Sequence, residues 1–367
     1  MIKNNLLLLA LAFLTIFSSY TLDGFTITGR FSGIADGTKL MLQNLSTGMY
    51  IDSSIVKDNK FTFKGYISDG PEELRIITSI EDLKKGILYY TDVLIGNEDV
   101  KLSAKKGDLP FNVTSTGSAI QKEAELYYKA LYSKTQLLDS LKKQGRAETD
   151  ANRKSLLNEQ IKQMSQAIDA WKLSFIKENF NSYIALLQYN YRKDLPLDTL
   201  TRLYEGLPAA LKKSKYGKAI AIQVKNPKPQ LGDSYTDFKA ISAEGKSIML
   251  STLTGNYTVL QFAGTGCYWS EESIKHIKET RKNYQNNVSF VSYYIDGDKN
   301  TWMNSVLTKG IDWPTIWSPG GKYSVPANSY GITGTPTFFI LSPEGKVVST
   351  WFGYEPGIIE KELKKVM

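Results

Sequence analysis

The chain of 367 residues has one cysteine, Cys267, and one histidine, His276. A lone cysteine permits no intrachain disulfide, and one residue of each kind cannot assemble a Cys/His zinc site. Any Cys–His pair has a single candidate for each part. No cysteine comes just after the first apolar run, where a bacterial lipoprotein would need its lipid-anchoring residue. Charge of one sign is not dominant either: 45 Lys and Arg against 37 Asp and Glu leave +8, which selects no partner until it is placed on a surface. With 42% hydrophobic residues, 22% charged, 28 Gly and 12 Pro, the composition excludes a mainly disordered or collagen-like chain. At roughly 150 residues per domain, the length predicts two to three domains.

Residues Met1–Tyr20 read MIKNNLLLLALAFLTIFSSY, with Lys3 ahead of the apolar run Leu6–Phe17. That run fits a signal h-region and is shorter than the roughly 20 residues a spanning helix needs. Residues 1–20 are read as a signal peptide, and the destination as the bacterial periplasm. An uncleaved anchor is the alternative, because no small-x-small cleavage triplet is clear, and it would bring the chain to a membrane.

Three bodies follow. Residues 23–116 alternate as FTITGRF, TKLMLQNL, KFTFKGYI and ELRIITSI, punctuated by Asp36-Gly37, Asp58-Asn59 and Asp69-Gly70. This predicts an antiparallel β-sandwich or barrel. Residues 118–228 turn helical, with apolar residues three and four apart in AELYYKALYSKTQLLDSLKK and KSLLNEQIKQMSQAIDAWKLSFIKEN. A shorter pair, SYIALLQYNYR and LDTLTRLYEGL, comes next. The Lys-rich stretch Leu211–Lys228 is read as a solvated helix end entering a linker, and not as a nucleic-acid contact. Pro and Gly in KNPKPQLGDSY set the boundary of the last body, residues 229–367.

In that body the hairpin-like TDFKAISAEGKSIML precedes a buried-type strand, Tyr257–Phe262, a glycine turn, and a helix opening at or near Cys267. Then come VSFVSYYID as a strand, KNTWMNSVLTKG as a helix, TFFILSPEGKVVSTWFG as a hairpin and PGIIEKELKKV as a closing helix. A β-α-β-α-β-β-α order predicts an α/β sheet with helices on both faces. A thiol at a helix start meets unpaired N–H groups and the positive end of the dipole, which favour thiolate.

The segment from about Leu231 to Met367 resembles the thioredoxin-fold domains of the TlpA/ResA-like kind, related to the thiol-specific antioxidant group. The resemblance rests on the strand ending at Phe262, Cys267 opening the helix, the Thr335-Pro336 step before TFFIL, and the SPEGKVV hairpin. It implies a cis Thr335-Pro336 bond beside the thiol, no cofactor and no metal. It also implies a polypeptide-docking surface of Tyr268, Trp269, Thr335 and Pro336.

The family motif is Cys-x-x-Cys, whose second thiol resolves the mixed disulfide formed by the first. Here it reads Cys267-Tyr268-Trp269-Ser270. Ser270 can hydrogen-bond the thiolate but cannot exchange disulfides. Gly266 stands where relatives carry Trp, Gln261 where thioredoxins hold a buried carboxylate, and Glu271 and Glu272 add negative charge near the thiol. His276, nine residues past Cys267, falls on nearly the opposite side of the helix. Leu260 and Gly264 stand where the peroxidatic motif of the antioxidant relatives needs Pro and Thr. Three readings remain: a monothiol oxidoreductase working on exported protein thiols or disulfides with an external reductant thiol, a degenerate polypeptide-binding module, and a thiol peroxidase.

Overall fold

The computed structural model describes residues 24–284 and 286–367. The segment read as a signal, 1–20, lies outside them. Among the described residues, no helix is long and apolar enough to cross a membrane.

The first body holds strands β1 (Phe25–Ser32), β2 (Lys39–Asn44), β3 (Tyr50–Ile55), β4 (Lys60–Gly65) and β5 (Glu72–Thr78). After a short helix, α1 (Ile80–Lys84), come β6 (Tyr90–Ile95), β7 (Asp99–Lys105) and β8 (Thr114–Thr116). Two four-stranded sheets, β4-β1-β7-β8 and β3-β2-β5-β6, enclose one core. Period-2 alternation sends Phe25, Ile27 and Phe31 inward. Gly29 also faces inward, and a Cβ there would lie 1.8 Å from Phe61 Cζ, so the Phe61 ring fills the space. One pairing departs from the antiparallel expectation: β1 and β7 run parallel. A parallel pair needs a long crossover, and strands β2 to β6, most of them in the opposite sheet, provide it.

The second body is helical: α2 (Ala119–Ala147), α3 (Ala151–Glu178), α4 (Tyr183–Arg192), α5 (Leu197–Glu205), α6 (Ala209–Lys213) and α7 (Lys215–Lys225). Side-chain caps mark four starts, with Ser118, Asp150, Ser182 and Ser214 accepting from the N–H groups of Gln121, Arg153, Ala185 and Gly217. The stretch 211–228 corrects the sequence reading. It is not a solvated end, because α7 buries Tyr216, Ala219 and Ile220, and Lys215 pairs with Glu72 of the β-sandwich.

The third body contains β9 (Lys239–Ser242), β10 (Ser247–Met249), β11 (Tyr257–Ala263), α8 (Tyr268–Tyr284), β12 (Val288–Tyr294), α9 (Lys299–Lys309), β13 (Thr315–Trp317), α10 (Val325–Ser329), β14 (Thr337–Leu341), β15 (Val347–Phe352) and α11 (Ile358–Val366). They form a seven-stranded mixed sheet in the order β10-β9-β13-β12-β11-β14-β15. Ile274 and Ile277 of α8 and Ile359 and Leu363 of α11 cover one face, while Ala327 of α10 with Tyr330, Phe238 and Phe339 fills the other. Strand β13 and helix α10 have no counterpart in the sequence reading. The segment read as a linker is laid down on this body: Gly232 N–H donates to Val347 O at 2.8 Å, and Val347 N–H to Asp233 O at 2.9 Å.

The bodies meet through buried polar groups. Glu73 accepts from the hydroxyls of Tyr128 and Tyr191, and Lys322 donates to the Tyr191 hydroxyl at 3.0 Å. Burial, with Asp92 nearby, pushes the Glu73 carboxyl up. Gln223 of α7 joins Tyr189 to Asn328 of α10, and Lys193, in the left-handed region at the end of α4, donates to Ile332 O at 2.7 Å. Desolvation brings the Lys193 ammonium down to about 7, with Lys322 adding to the effect. On the other side, a Cβ on Gly297 would come within 2.6 Å of Thr47 Cα, so the turn after β2 touches the loop after β12.

Candidate active site around Cys267

Buried strand β11 ends at Ala263, and the chain turns through Gly264-Thr265-Gly266 into α8. Gly266 has φ +76°, a left-handed backbone that glycine adopts without strain. Cys267 N–H closes this turn on Gly264 O at 3.3 Å, and Cys267 O accepts the Glu271 N–H as the first helical bond. The thiol is partly buried and donates to Thr335 O at 3.2 Å. Thr335-Pro336 is cis, and Thr335 Oγ1 lies against Gly264.

Burial raises the thiol pKa. Hydrogen bonds from the Ser270 and Thr335 side chains and from the backbone N–H groups of Ser270 and Trp269 outweigh it, holding Cys267 below its ordinary value. Ser270 is buried, and its Oγ also accepts the Gly264 N–H at 3.4 Å. The two carboxylates of the first helical turn are neutralised. Lys309 contacts Glu271 at 2.7 Å and Lys275 contacts Glu272 at 2.6 Å, so their opposition to thiolate is smaller than the sequence implied.

Tyr268 and Trp269 are 63% and 52% exposed and stack edge to face at 4.9 Å, so both are surface aromatics. Sequence reasoning missed Phe352. It is 69% exposed at the end of β15, its ring rests on Gly334, and the next residue, Gly353, donates to Pro336 O at 2.8 Å. The site therefore offers aromatic surface from two directions, beside α8 and beside the cis-proline loop.

Behind the thiol runs a buried polar chain. Trp313 Nε1 donates to Ser292 Oγ at 2.9 Å, Ser292 Oγ to Gln261 Oε1 at 2.7 Å, Gln261 Nε2 to Ser273 Oγ at 2.7 Å, and Ser273 Oγ to Ser270 O at 2.7 Å. Every member is satisfied by a neutral partner, and the chain ends on the helical turn that carries the thiol. The titratable carboxylate nearby comes from elsewhere. Asp296, after β12, accepts the Thr265 N–H at 3.1 Å and the Thr265 hydroxyl at 2.9 Å, and burial raises its pKa. No local sequence signal marks it. Its place follows from β12 lying parallel to β11 and ending level with it.

His276 lies 2.6 Å from Glu360 Oε2 of α11 and packs against Tyr354 in the turn before it, so its contacts are with that end of the chain and not with the thiol. Leu260 is wholly buried in the core, and Gly264 offers no hydroxyl to a peroxide. Among the described residues no group of three His, Cys, Asp or Glu is placed to hold a metal ion.

Residues 245–367 match the family model described as a thioredoxin-like domain, and residues 25–124 match a domain of unknown function, DUF4369. The chain is thus a thioredoxin-fold protein with an N-terminal DUF4369 domain. Its last third is similar to the thiol-disulfide oxidoreductase ResA of Bacillus anthracis, 29% identical over 141 residues, which cover 38% of this chain and 80% of that protein. ResA of Bacillus subtilis (strain 168) is 26% identical over 123 residues, 33% of this chain and 67% of that protein. Among solved structures, a putative thiol:disulfide interchange protein DsbE from Chlorobium tepidum aligns with TM-score 0.35 and 22% identity, over 37% of this chain and 97% of that one.

Proposed function

We propose that this chain is an exported monothiol thiol-disulfide oxidoreductase that works through mixed disulfides at Cys267. The observation that carries the reading is the thiol itself: partly exposed, at a helix start, 3.2 Å from Thr335 O beside the cis Thr335-Pro336 bond, and held below its ordinary pKa by hydrogen bonding. The thiolate attacks one sulfur of a client disulfide, the S–S bond breaks, and the departing client thiolate takes a proton from solvent. A thiolate from outside the chain then attacks the mixed disulfide and frees Cys267, because buried Ser270 cannot. Tyr268, Trp269, Phe352 and the Thr335-Pro336 loop form the client surface, where an extended polypeptide pairs with the backbone at Thr335. The sequence of residues 1–20 supports export to the periplasm.

Alkylation of Cys267 followed against pH tests the reading. A titration midpoint below about 8.5 and client adducts trapped through Cys267 are expected. A midpoint at or above that of free cysteine, with no adducts, overturns it. The second reading, a binding module without chemistry, is favoured by the three exposed aromatics, whose surface does not depend on sulfur. It requires Cys267→Ser to keep full capture of an unfolded polypeptide.

A further inference from the structure

We propose that the outer face of sheet β4-β1-β7-β8 docks on an anionic phospholipid surface. The outward side chains of these strands include five cations, Arg30, Lys60, Lys64, Lys101 and Lys105, against one carboxylate, Asp99. The remaining outward positions on the four strands are Ser and Thr. The excess is a matter of placement and not of composition. Between residues 24 and 117 the sequence holds eleven Lys and Arg against twelve Asp and Glu, so this domain carries no net positive charge to spread evenly.

Register sharpens the point. Arg30 pairs directly with Lys60, a like-charge cross-strand neighbour that weakens a sheet unless an anion lies over it. Among the described residues, none of the five cations has a carboxylate within salt-bridge distance. In the middle of the face is a shallow depression of about 320 Å³. Arg30, Lys60 and Lys101 line it with the hydroxyls of Thr28, Ser103 and Thr116, a set of donors suited to a phosphate oxygen.

Three features favour a bilayer over another polyanion. The face has no aromatic residue on which a nucleic-acid base could stack. Its two central strands, β1 and β7, already have partners on both sides, so no peptide can add as a strand there. Under the anchored reading of residues 1–20, the run Leu6–Phe17 would lie at the bilayer and precedes β1 by so few residues that, even fully extended, they reach only about 25 Å.

Co-sedimentation of the full-length chain with vesicles tests this. Phosphatidylcholine vesicles with 30% phosphatidylglycerol are compared with pure phosphatidylcholine, so any partitioning of the apolar run enters both arms. Each basic side chain near an anionic bilayer contributes about fivefold in affinity. The native chain should therefore prefer anionic vesicles at least twentyfold at low salt, and lose that preference in 0.5 M NaCl. Arg30→Glu with Lys101→Glu should cut the preference at least tenfold, while Lys154→Glu with Lys162→Glu, on exposed α3, should not. Circular dichroism and thermal unfolding verify that both variants fold. Equal binding to the two vesicle types, or equal losses in the two double variants, overturns the proposal. Binding to a soluble polyphosphate without binding to anionic vesicles also overturns it, and assigns the face to a free polymer.

Discussion

At the scale of the residue, Ser270 is the departure with most chemical weight. It occupies the resolving position, yet it is buried, accepts from Gly264 N–H and bonds the sulfur. A hydrogen bond to a charged group contributes about 1.5–3 kcal/mol, and 1.36 kcal/mol is one pKa unit. Ser270→Ala should therefore raise the Cys267 pKa by about one unit and slow alkylation near neutral pH about tenfold, read from iodoacetamide kinetics against pH. Gln261 is the second residue. Gln261→Leu takes one hydrogen-bond partner from each of the buried Ser273 and Ser292 hydroxyls and should lower unfolding free energy by about 2–4 kcal/mol in urea titration, without shifting the thiol titration as Ser270→Ala does. Cys267, Ser270 and the Thr335-Pro336 step were legible because a motif fixes their spacing along the chain. Asp296 and Phe352 were not, because sheet register brings them to the site from distant segments.

At the scale of the element, long periodic segments were legible and short ones were not. Helices α2 and α3 and strand β11 announce themselves by their apolar spacing. Strand β13 covers only Thr315–Trp317, too short for any period to register, and α10 is five residues led by Val325-Pro326. The parallel pairing of β1 and β7 was also invisible, since alternation says which face is buried and nothing of which strand lies alongside. Helix α7 was misread because its lysines are conspicuous in sequence while Tyr216, Ala219 and Ile220 do the packing. Truncating a buried aromatic leaves a cavity, so Tyr216→Ala should cost about 3–5 kcal/mol in chemical denaturation, where a solvated helix end would lose almost nothing.

At the scale of the whole molecule, the polar contacts between bodies carry a pH signature. The Lys193 ammonium has its pKa lowered to about 7 in the folded chain, and Lys322 to about 8, both chiefly by desolvation. Unfolded, these amines keep their protons to about 10.4. Between roughly pH 7 and 10 the unfolded chain therefore binds more protons, and the lysine contribution to stability grows as pH rises and is lost as pH falls toward 7. Lys193→Met should accordingly gain in melting temperature relative to the native chain at pH 6.5, with the gain shrinking or reversing by pH 9.5. A constant difference across that range would show that the amine stays solvated. Division into three bodies was legible from changes of period. Their interlocking was not, because Gln223, Lys193 and Glu73 look like surface residues until their partners on other segments are known.

The contact of Gly297 with Thr47 has a consequence for inheritance. A side chain at 297 would press the turn after β2 and displace the loop whose Asp296 holds Thr265, two residues before the thiol. A gene encoding the thioredoxin-like part alone could drift to alanine at that codon. In this fused chain the clash is with the backbone of residues 46 and 47, so no change of side chain at 47 relieves it and codon 297 is held to glycine.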